Sequence, residues 1–287
     1  MESLYKSEQG KNDILSLYDQ KLKGLEIDYQ YKTVETSFGK TNVIITGDAS
    51  KPSIVLVHGS NGCAPIALET YLGLETHYQI FAVDVLAQPN KSAETRLSMK
   101  NDDYGKWLHE VIDTLELKNA ILAGFSLGGL VILKALEFKD ANIKEVFLTA
   151  PAYIVNGNPL KALFKVFIPM KRYMNTKKLK YVDRFLKEIF TEKDAFAIHF
   201  LSKVFFNFKM DFTPVPLIHR REANSIKTPI TLIAAKNDII FPGVKMIKRA
   251  KKILPSLKEV VLLEKSKHVQ DSADNKQIVN LINGVFE

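Results

Sequence analysis

Short apolar runs recur along the chain, and stretches with apolar residues at helical spacing separate them. Continuous apolar runs of four to eight residues are typical of strands that are buried on both faces. The runs that predict core strands are Ser53–Val57, Ile80–Val83, Ala120–Ala123, Lys144–Leu148, Pro229–Ala234 and Glu259–Leu263. Helices are predicted between the first two runs, after the third, and over Asp102–Leu117, Val244–Ile253 and Lys276–Phe286. This alternation predicts an α/β fold with a mostly parallel central sheet that carries helices on both faces.

The chain ahead of the first run has a different pattern. Ile14–Leu25 has apolar residues at helical spacing and predicts an amphipathic helix that lies on the body of the protein. Asp28–Ser37 alternates between polar and apolar residues, and Thr41–Thr46 returns after a turn at residues 38–40. These two segments predict a hairpin that adds antiparallel strands at one edge of the sheet.

Residues 151–225 interrupt the alternation. They contain no clear strand but three helical stretches, Leu160–Ile168, Leu179–Phe190 and Asp194–Phe206, and 10 of the 17 phenylalanines of the chain. They also carry 14 basic and six acidic side chains, so this segment alone accounts for the formal net charge of +8. An insertion at the carboxyl edge of a parallel sheet lies where such sheets bind ligands. We therefore predict a helical cap over residues 151–225, with its aromatic side chains lining the ligand pocket, inserted into a core formed by residues 1–150 and 226–287.

Several classes of protein have no support in the composition. Cys63 is the only cysteine, so an intramolecular disulfide and a cysteine-rich metal site are excluded. The six histidines form no metal-binding pattern, and we expect neither a metal nor a cofactor. No stretch of 18 apolar residues and no apolar leader occur, so a cytoplasmic location is the default expectation.

The most informative stretch is Ala120–Leu133, in which a predicted strand runs into Gly124-Phe125-Ser126-Leu127-Gly128 and then into a helical pattern. A strand, G-x-S-x-G and a helix form the context of a nucleophile elbow. Glycines flank the serine because the turn is too tight for side chains there. The helix that follows directs its N-terminal N–H groups at negative charge that develops beside Ser126. The alternative is a glycine-rich turn with a solvated serine.

Partners for such a serine follow it in the chain order Ser, Asp, His, which is the order that goes with this elbow. Asp238 comes after the strand that begins at Pro229, and His268 comes after the last strand. Each has a plain alternative, since Asp238 could cap the next helix and His268 could be an exposed loop residue. Asp84 and Asp103 are rival acids, but both precede Ser126. We predict a triad of Ser126, Asp238 and His268.

The loop His58-Gly59-Ser60-Asn61-Gly62 follows the first core strand. A turn at this place can aim a backbone N–H at the reaction centre, and the residue after the nucleophile supplies a second donor. We predict an oxyanion hole from the N–H groups of Ser60 and Leu127, with Asn61 as the alternative to Ser60. His58 is interpreted as structural.

These motifs, HGSNG, GFSLGG and the aspartate and histidine after the last two strands, resemble the α/β-hydrolase superfamily over nearly the whole chain. The stretches FAVDVLAQPNKS and DDYGKWLHEVIDTLEL are similar to cap-bearing bacterial carboxylesterases of the carboxylesterase NP type. The resemblance implies a serine esterase with Ser126 as nucleophile, His268 as base, Asp238 as orienting acid, and Ser60 and Leu127 as oxyanion donors. One departure is Lys267, which stands where the family usually has glycine.

The expected substrate is a small to medium apolar carboxylic ester, and no nucleic acid is expected as a partner. Serine-dependent carbon–carbon hydrolases of the same fold are the enzymatic alternative, and ligand-binding receptors with little turnover are the non-enzymatic one. The basic face of residues 151–225 would at most draw the protein towards anionic surfaces, and oligomeric state is left open.

Overall fold

One mixed sheet organises the protein in the computed structural model, which describes residues 2–284. The strands of this part of the chain are β1 Tyr29–Thr36, β2 Gly39–Thr46, β3 Ser53–Val57, β4 Gln79–Val83, β5 Ala120–Phe125, β6 Ile143–Thr149, β7 Ile230–Ala235 and β8 Leu257–Leu263. Their order is β1-β2-β4-β3-β5-β6-β7-β8. The β1–β2 and β2–β4 pairs are antiparallel and the others are parallel. The predicted edge hairpin and parallel core are both confirmed.

Helices connect the parallel strands, and one further helix lies at each end of the described chain. They are α1 Glu8–Lys23, α2 Ala64–Thr70, α3 Asp103–Thr114, α4 Leu127–Phe138, α5 Pro159–Ala162, α6 Ile168–Thr176, α7 Lys180–Ile189, α8 Ala195–Asn207, α9 Arg220–Ser225, α10 Gly243–Ile253 and α11 Ser272–Asn283. A 3₁₀ turn covers Leu74–Thr76, and a π turn covers Leu163–Phe167. The predicted end of the last helix, at Phe286, lies outside the described residues.

The central strands are buried on both faces, as their apolar runs predict, whereas the edge strands β1 and β8 are partly exposed. The predicted burial of the last run, Glu259–Leu263, on both faces is therefore wrong. Val55 and Val57 of β3 face a cluster that includes residues of α3, α4 and α10. Ile54 and Leu56, on the opposite face of the same strand, join a second cluster with residues of α1, α2 and α11. Successive side chains of a strand point to opposite faces, so a strand covered on both sides is apolar at every position.

The first helix begins ahead of its predicted start at Ile14. The Ser7 side chain accepts a 3.1 Å hydrogen bond from the Gly10 N–H and caps α1. Its first turns contain the polar, exposed residues Glu8, Gln9 and Asn12 and no large apolar side chain, so the spacing of apolar residues could not reveal them.

Residues 151–225, which we call the helical segment, lie between β6 and β7 and contain α5 to α9. The predicted end of its first helix at Ile168 is wrong, because the helical backbone continues through Pro169 to Thr176. Proline lacks an N–H and its ring meets the carbonyl four residues back. The wide π turn over Leu163–Phe167 ends two residues before this proline and lets the helix continue.

The helical segment packs against the N-terminal residues. Tyr5 and Phe208 form an isolated antiparallel bridge, and their rings meet edge to face at 5.1 Å between centroids. Phe200 joins the cluster that contains α1 residues, whereas Phe185 and Phe205 fill an apolar cluster inside the segment. Packing therefore accounts for at least four of its phenylalanines.

Candidate active site

Ser126 lies at the sharp turn between β5 and α4, at the carboxyl edge of the sheet. Its backbone has φ 53° and ψ −112°, a conformation that side-chain-bearing residues rarely adopt. A Cβ at Gly124 would lie 2.6 Å from Ile132 Cδ1, and one at Gly128 would overlap the Val57 carbonyl. The glycines of G-x-S-x-G are therefore required by the close approach of this turn to its surroundings.

Three side chains from different strand ends form a continuous hydrogen-bond chain. The Ser126 hydroxyl lies 3.0 Å from Nε2 of His268, and Nδ1 of His268 lies 2.7 Å from Oδ2 of Asp238. A carboxylate can only accept, so Nδ1 carries the proton and Nε2 is left to accept from the serine. All three residues are buried, with 7%, 6% and 3% of Ser126, His268 and Asp238 exposed. The structure thus brings together the three residues that the sequence singled out.

The Asp238 carboxylate is held in place by the turn that follows β7. Its Oδ1 accepts hydrogen bonds from the N–H groups of Ile240 at 2.7 Å and Phe241 at 2.9 Å. The other oxygen is therefore directed at His268. Asp238 therefore does not cap α10, whose N-cap is Pro242; one carboxylate oxygen binds the turn and the other faces the histidine.

Aromatic rings enclose the imidazole of His268. The ring centroid of Phe125 lies 5.0 Å away, and that of Phe241 lies 5.5 Å away. Gln270 donates a 2.8 Å hydrogen bond to the backbone carbonyl of His268. These contacts restrict rotation of the ring and limit the access of water to it.

The loop that carries His268 is also bound to the helical segment. Thr191 Oγ1 accepts from the Lys267 N–H at 3.0 Å and donates to the Val269 carbonyl at 2.6 Å. Backbone hydrogen bonds join Val269 N–H to the Ile189 carbonyl and Thr191 N–H to the Val269 carbonyl, each at 3.0 Å. Two residues that flank the histidine are thereby fixed from the helical segment.

Lys267, the departure from the family pattern, takes part in this attachment. Its ammonium group donates a 2.7 Å hydrogen bond to the Lys187 carbonyl at the end of α7. Lys267 is not among the residues with positive φ. This loop therefore does not need the conformational freedom of glycine, and a lysine fits.

The first predicted oxyanion donor lies in the loop after β3. A Cβ at Gly59 would lie 3.3 Å from Ser126 Cβ, so this loop passes directly beside the serine. Among the residues that the structure describes, the N–H groups of Ser60 and Leu127 donate to no protein acceptor. The Asn61 N–H, by contrast, is occupied by a 2.8 Å hydrogen bond to Gln88 Oε1. This difference favours Ser60 over Asn61.

Residues after β4 hold the same loop at further points. Nε2 of His58 accepts from the Val85 N–H at 3.0 Å, and Nδ1 lies 2.8 Å from the Gly59 carbonyl. Burial lowers the pKa of His58 to about 4, so the imidazole is neutral and its role is structural. Asp84 Oδ1 accepts from the Ala64 N–H at 2.7 Å, where the loop enters α2.

The two rival acids lie away from the imidazole of His268. Asp84 is fully buried, and its carboxylate also accepts from the Tyr18 hydroxyl at 2.9 Å and the Asn42 amide at 2.8 Å. Burial raises its pKa to about 6. Asp103 begins α3 and accepts from the Asn101 amide at 2.8 Å.

Cys63 lies beside the oxyanion loop and is buried. Desolvation raises the pKa of its thiol well above the usual range, which keeps the thiol protonated.

Sequence reasoning missed Thr191 and Gln88. Neither residue follows a strand that ends at the triad, and each acts through a hydrogen bond to a residue distant in sequence. The only available signal for Gln88 was its place in the loop after β4, where parallel sheets gather functional side chains.

The comparisons with known proteins agree with this fold. A family model described as the alpha/beta hydrolase fold matches residues 52–202, about half of the chain. The uncharacterized carboxylesterase nap of Bacillus subtilis is 24% identical over 96% of this chain and 91% of its own length. Carboxylesterase YbfK of the same organism is 31% identical, but over only 47% of this chain and 46% of its own length.

Solved structures show the same fold. Naproxen esterase (carboxylesterase NP) from Bacillus subtilis has a TM-score of 0.84 and 20% identity, with 98% of this chain and 100% of that chain covered. Carboxylesterase CesB from the same organism has a TM-score of 0.78 and 21% identity, with 96% and 99% covered.

The chain belongs to the α/β-hydrolase fold family. The resemblance to bacterial carboxylesterases of the NP type is confirmed, and a carboxylesterase-type hydrolase is the class that these matches support. Within residues 2–284, no helix is both long enough and apolar enough to cross a bilayer.

Proposed function

We propose that the protein is a serine esterase that cleaves carboxylic esters through an acyl-enzyme intermediate. Ser126 is the nucleophile, His268 the general base, and Asp238 orients the base and stabilises its charged form. The observation that carries this proposal is the hydrogen-bond chain at 3.0 Å and 2.7 Å, which starts at a serine held in a strained turn. A complete chain of this kind favours turnover over simple ligand binding.

The reaction follows from these positions. Ser126 Oγ forms a bond to the ester carbonyl carbon while its proton passes to Nε2 of His268. The tetrahedral intermediate then expels the alcohol, which takes that proton and leaves an acyl group on the serine. A water molecule, deprotonated by His268, attacks the acyl group. Collapse of the second intermediate returns the proton to Ser126 and releases the carboxylic acid.

The negative oxygen of both intermediates needs donors that are already oriented. The N–H groups of Ser60 and Leu127 are assigned this role, because both belong to elements that adjoin Ser126 and neither has a protein acceptor within the described residues. The contacts of Gln88 and Asp84 hold the Ser60 loop in place. The N-terminus of α4 adds a favourable field for the same charge.

The helical segment is assigned as a cap on a core formed by residues 1–150 and 226–287. It leaves the core between β6 and β7, at the strand ends that carry the candidate site. Its contacts through Thr191 with the loop of His268 couple it to the base. A cap attached in this way limits the access of water and selects which esters enter.

The preferred substrates are small to medium apolar esters. The side chains next to the imidazole are the aromatic Phe125 and Phe241, and no described cation pairs with the triad. Each methylene buried in an apolar pocket contributes about 0.8 kcal/mol, or roughly fourfold in kcat/KM.

A series of p-nitrophenyl esters from acetate to decanoate tests this function. We expect measurable hydrolysis, with kcat/KM that rises over the first members and falls for long chains. A flat profile, or one that falls from acetate onwards, would refute the apolar pocket. Absence of turnover on every ester by correctly folded protein would refute the esterase itself.

A further inference from the structure

The first helical stretch of the helical segment has two apolar faces. Val166, Met170 and Tyr173 form one face and are buried in the segment's own cluster. The second face is exposed at four positions with the spacing i, i+3, i+4 and i+7. Its members, with their exposed fractions, are Leu160 (64%), Leu163 (43%), Phe164 (62%) and Phe167 (42%).

A fifth apolar side chain extends this face. Phe212, from the loop after α8, is 55% exposed, and its ring meets that of Phe167 at 6.2 Å between centroids. We call these five residues the apolar face of the helical segment. Solvent-exposed clusters of large apolar side chains, as distinct from isolated ones, mark surfaces that bind another molecule.

Positive charge accompanies the apolar face. Residues 159–176 carry Lys161, Lys165, Lys171 and Arg172 and no acidic residue. A cavity of about 260 Å³ adjoins the helix, and its lining combines apolar side chains with two guanidinium groups. The lining residues are Phe164, Ile168, Pro169, Arg172, Tyr181 and Arg184.

The two arginines of this cavity are available for an anion. Within the described part of the chain, neither Arg172 nor Arg184 has an ion-pair partner, whereas Lys165 is paired with Glu188 at 2.7 Å. Guanidinium groups bind phosphate with directed hydrogen bonds. An apolar wall at Phe164 beside two free guanidinium groups matches a molecule with a phosphate head and a hydrocarbon tail.

The positive charge beside the apolar face distinguishes between two possible binding partners, a second copy of this chain and a membrane. A second copy of this chain, joined through the same face, would bring the unpaired Arg172 and Arg184 of both copies close together. An anionic bilayer instead offers negative charge at its surface and hydrocarbon below it. A helix with large apolar residues on one side and basic residues beside them lies in such an interface.

We propose that the apolar face of the helical segment docks the protein on anionic phospholipid membranes, with Leu160 and Phe164 inserted and Arg172 and Arg184 bound to phosphate headgroups. This inference does not depend on the proposed esterase activity. The net positive charge of the helical segment suggests only that it is attracted to anionic surfaces, whereas this proposal names the residues that bind.

Flotation of the full-length protein with vesicles tests the proposal. We expect binding to vesicles of phosphatidylglycerol and phosphatidylcholine, with weak binding to phosphatidylcholine alone and a marked loss at high salt. The double variant Leu160→Ser/Phe164→Ser should weaken binding to the anionic vesicles more than tenfold. Its matched control is Leu72→Ser/Val244→Ser, which changes two apolar residues that are 49% and 56% exposed elsewhere and should bind like the wild type.

A second pair of variants tests the headgroup contacts. Arg172→Gln/Arg184→Gln should weaken binding roughly 25-fold, since each basic residue near an anionic surface contributes about a fivefold effect. Arg220→Gln/Arg221→Gln removes the same charge from exposed residues at α9 and should cost less than threefold.

Several results would overturn the proposal. They are absence of binding to anionic vesicles at low salt, equal binding to phosphatidylcholine alone, and equal losses in a variant pair and its control. Concentration-dependent dimerisation in ultracentrifugation that Leu160→Ser/Phe164→Ser abolishes would assign the face to a second copy instead. Far-ultraviolet circular dichroism and urea unfolding of each variant report folding separately.

Discussion

Replacement of Thr191 by valine removes the hydroxyl that joins the helical segment to the loop of His268, while the shape of the side chain is kept. This hydroxyl accepts from the Lys267 N–H at 3.0 Å and donates to the Val269 carbonyl at 2.6 Å. Each hydrogen bond contributes about 1 kcal/mol net, so roughly 2 kcal/mol of positioning is lost. If the whole loss is felt in the transition state, kcat/KM falls about 30-fold.

Steady-state hydrolysis of p-nitrophenyl butyrate measures this effect, with urea unfolding to show that the variant is folded under the assay conditions. We expect the loss mainly in kcat, because the loop positions the base and not the ester. The matched control is Thr191→Ser, which keeps the hydroxyl and should retain most of the activity. A valine variant within twofold of the wild type would refute the reasoning, and so would a serine variant as impaired as the valine one.

Further predictions concern groups near the site. Asp238→Asn should lower kcat by a factor of roughly 10⁴, and Asp84→Asn should lower it far less. A large loss of kcat in Asp84→Asn alone would make Asp84 the acid of the triad instead. Gln88→Leu removes the acceptor of the 2.8 Å hydrogen bond from the Asn61 N–H and should lower kcat about tenfold. Gln88→Glu keeps an acceptor and should retain much of the wild-type kcat. Equal losses of kcat in the two variants would count against a positioning role for Gln88. The pKa of His58 is lowered to about 4, so its stabilising contribution is present above about pH 6.5 and is lost as pH falls towards 4. The pKa of Asp84 is raised to about 6, so its contribution is present below about pH 4 and is lost as pH rises through 6. Between pH 7 and 4, the free energy of unfolding should therefore fall less in His58→Gln than in the wild type, and fall more in Asp84→Asn. Each difference should reach up to about 3 kcal/mol. Curves of unfolding free energy against pH that run parallel to the wild-type curve would contradict this assignment.

Most of the sheet could be predicted because its central strands are buried on both faces. The run Ser53–Val57 matches β3 at both ends, since the residues after Ser53 are all apolar and the next residues belong to a glycine-bearing loop. The candidate site followed from the same pattern. Ser126, Asp238 and His268 each come after a parallel strand, and the carboxyl ends of such strands meet at one edge of the sheet.

The remaining features depend on contacts between distant parts of the chain. Thr191 meets the histidine loop through tertiary packing of the helical segment, and no local pattern marks it. The continuation of the helix through Pro169 depends on a π turn that propensity does not reveal. The excess of phenylalanine predicted a lined acyl pocket, yet residues such as Phe200 serve packing against the body of the protein.

The assignment of Ser126 as the nucleophile is tested most directly by labelling with a fluorophosphonate, followed by mass spectrometry of the adduct and an ester hydrolysis assay. The probe transfers its phosphonyl group to an activated serine, and we predict a single adduct on Ser126. The Ser126→Ala variant should take up no label and lose roughly 10⁴- to 10⁶-fold in kcat while it remains folded. Labelling of another residue, or more than a tenth of the activity left in Ser126→Ala, would contradict the account.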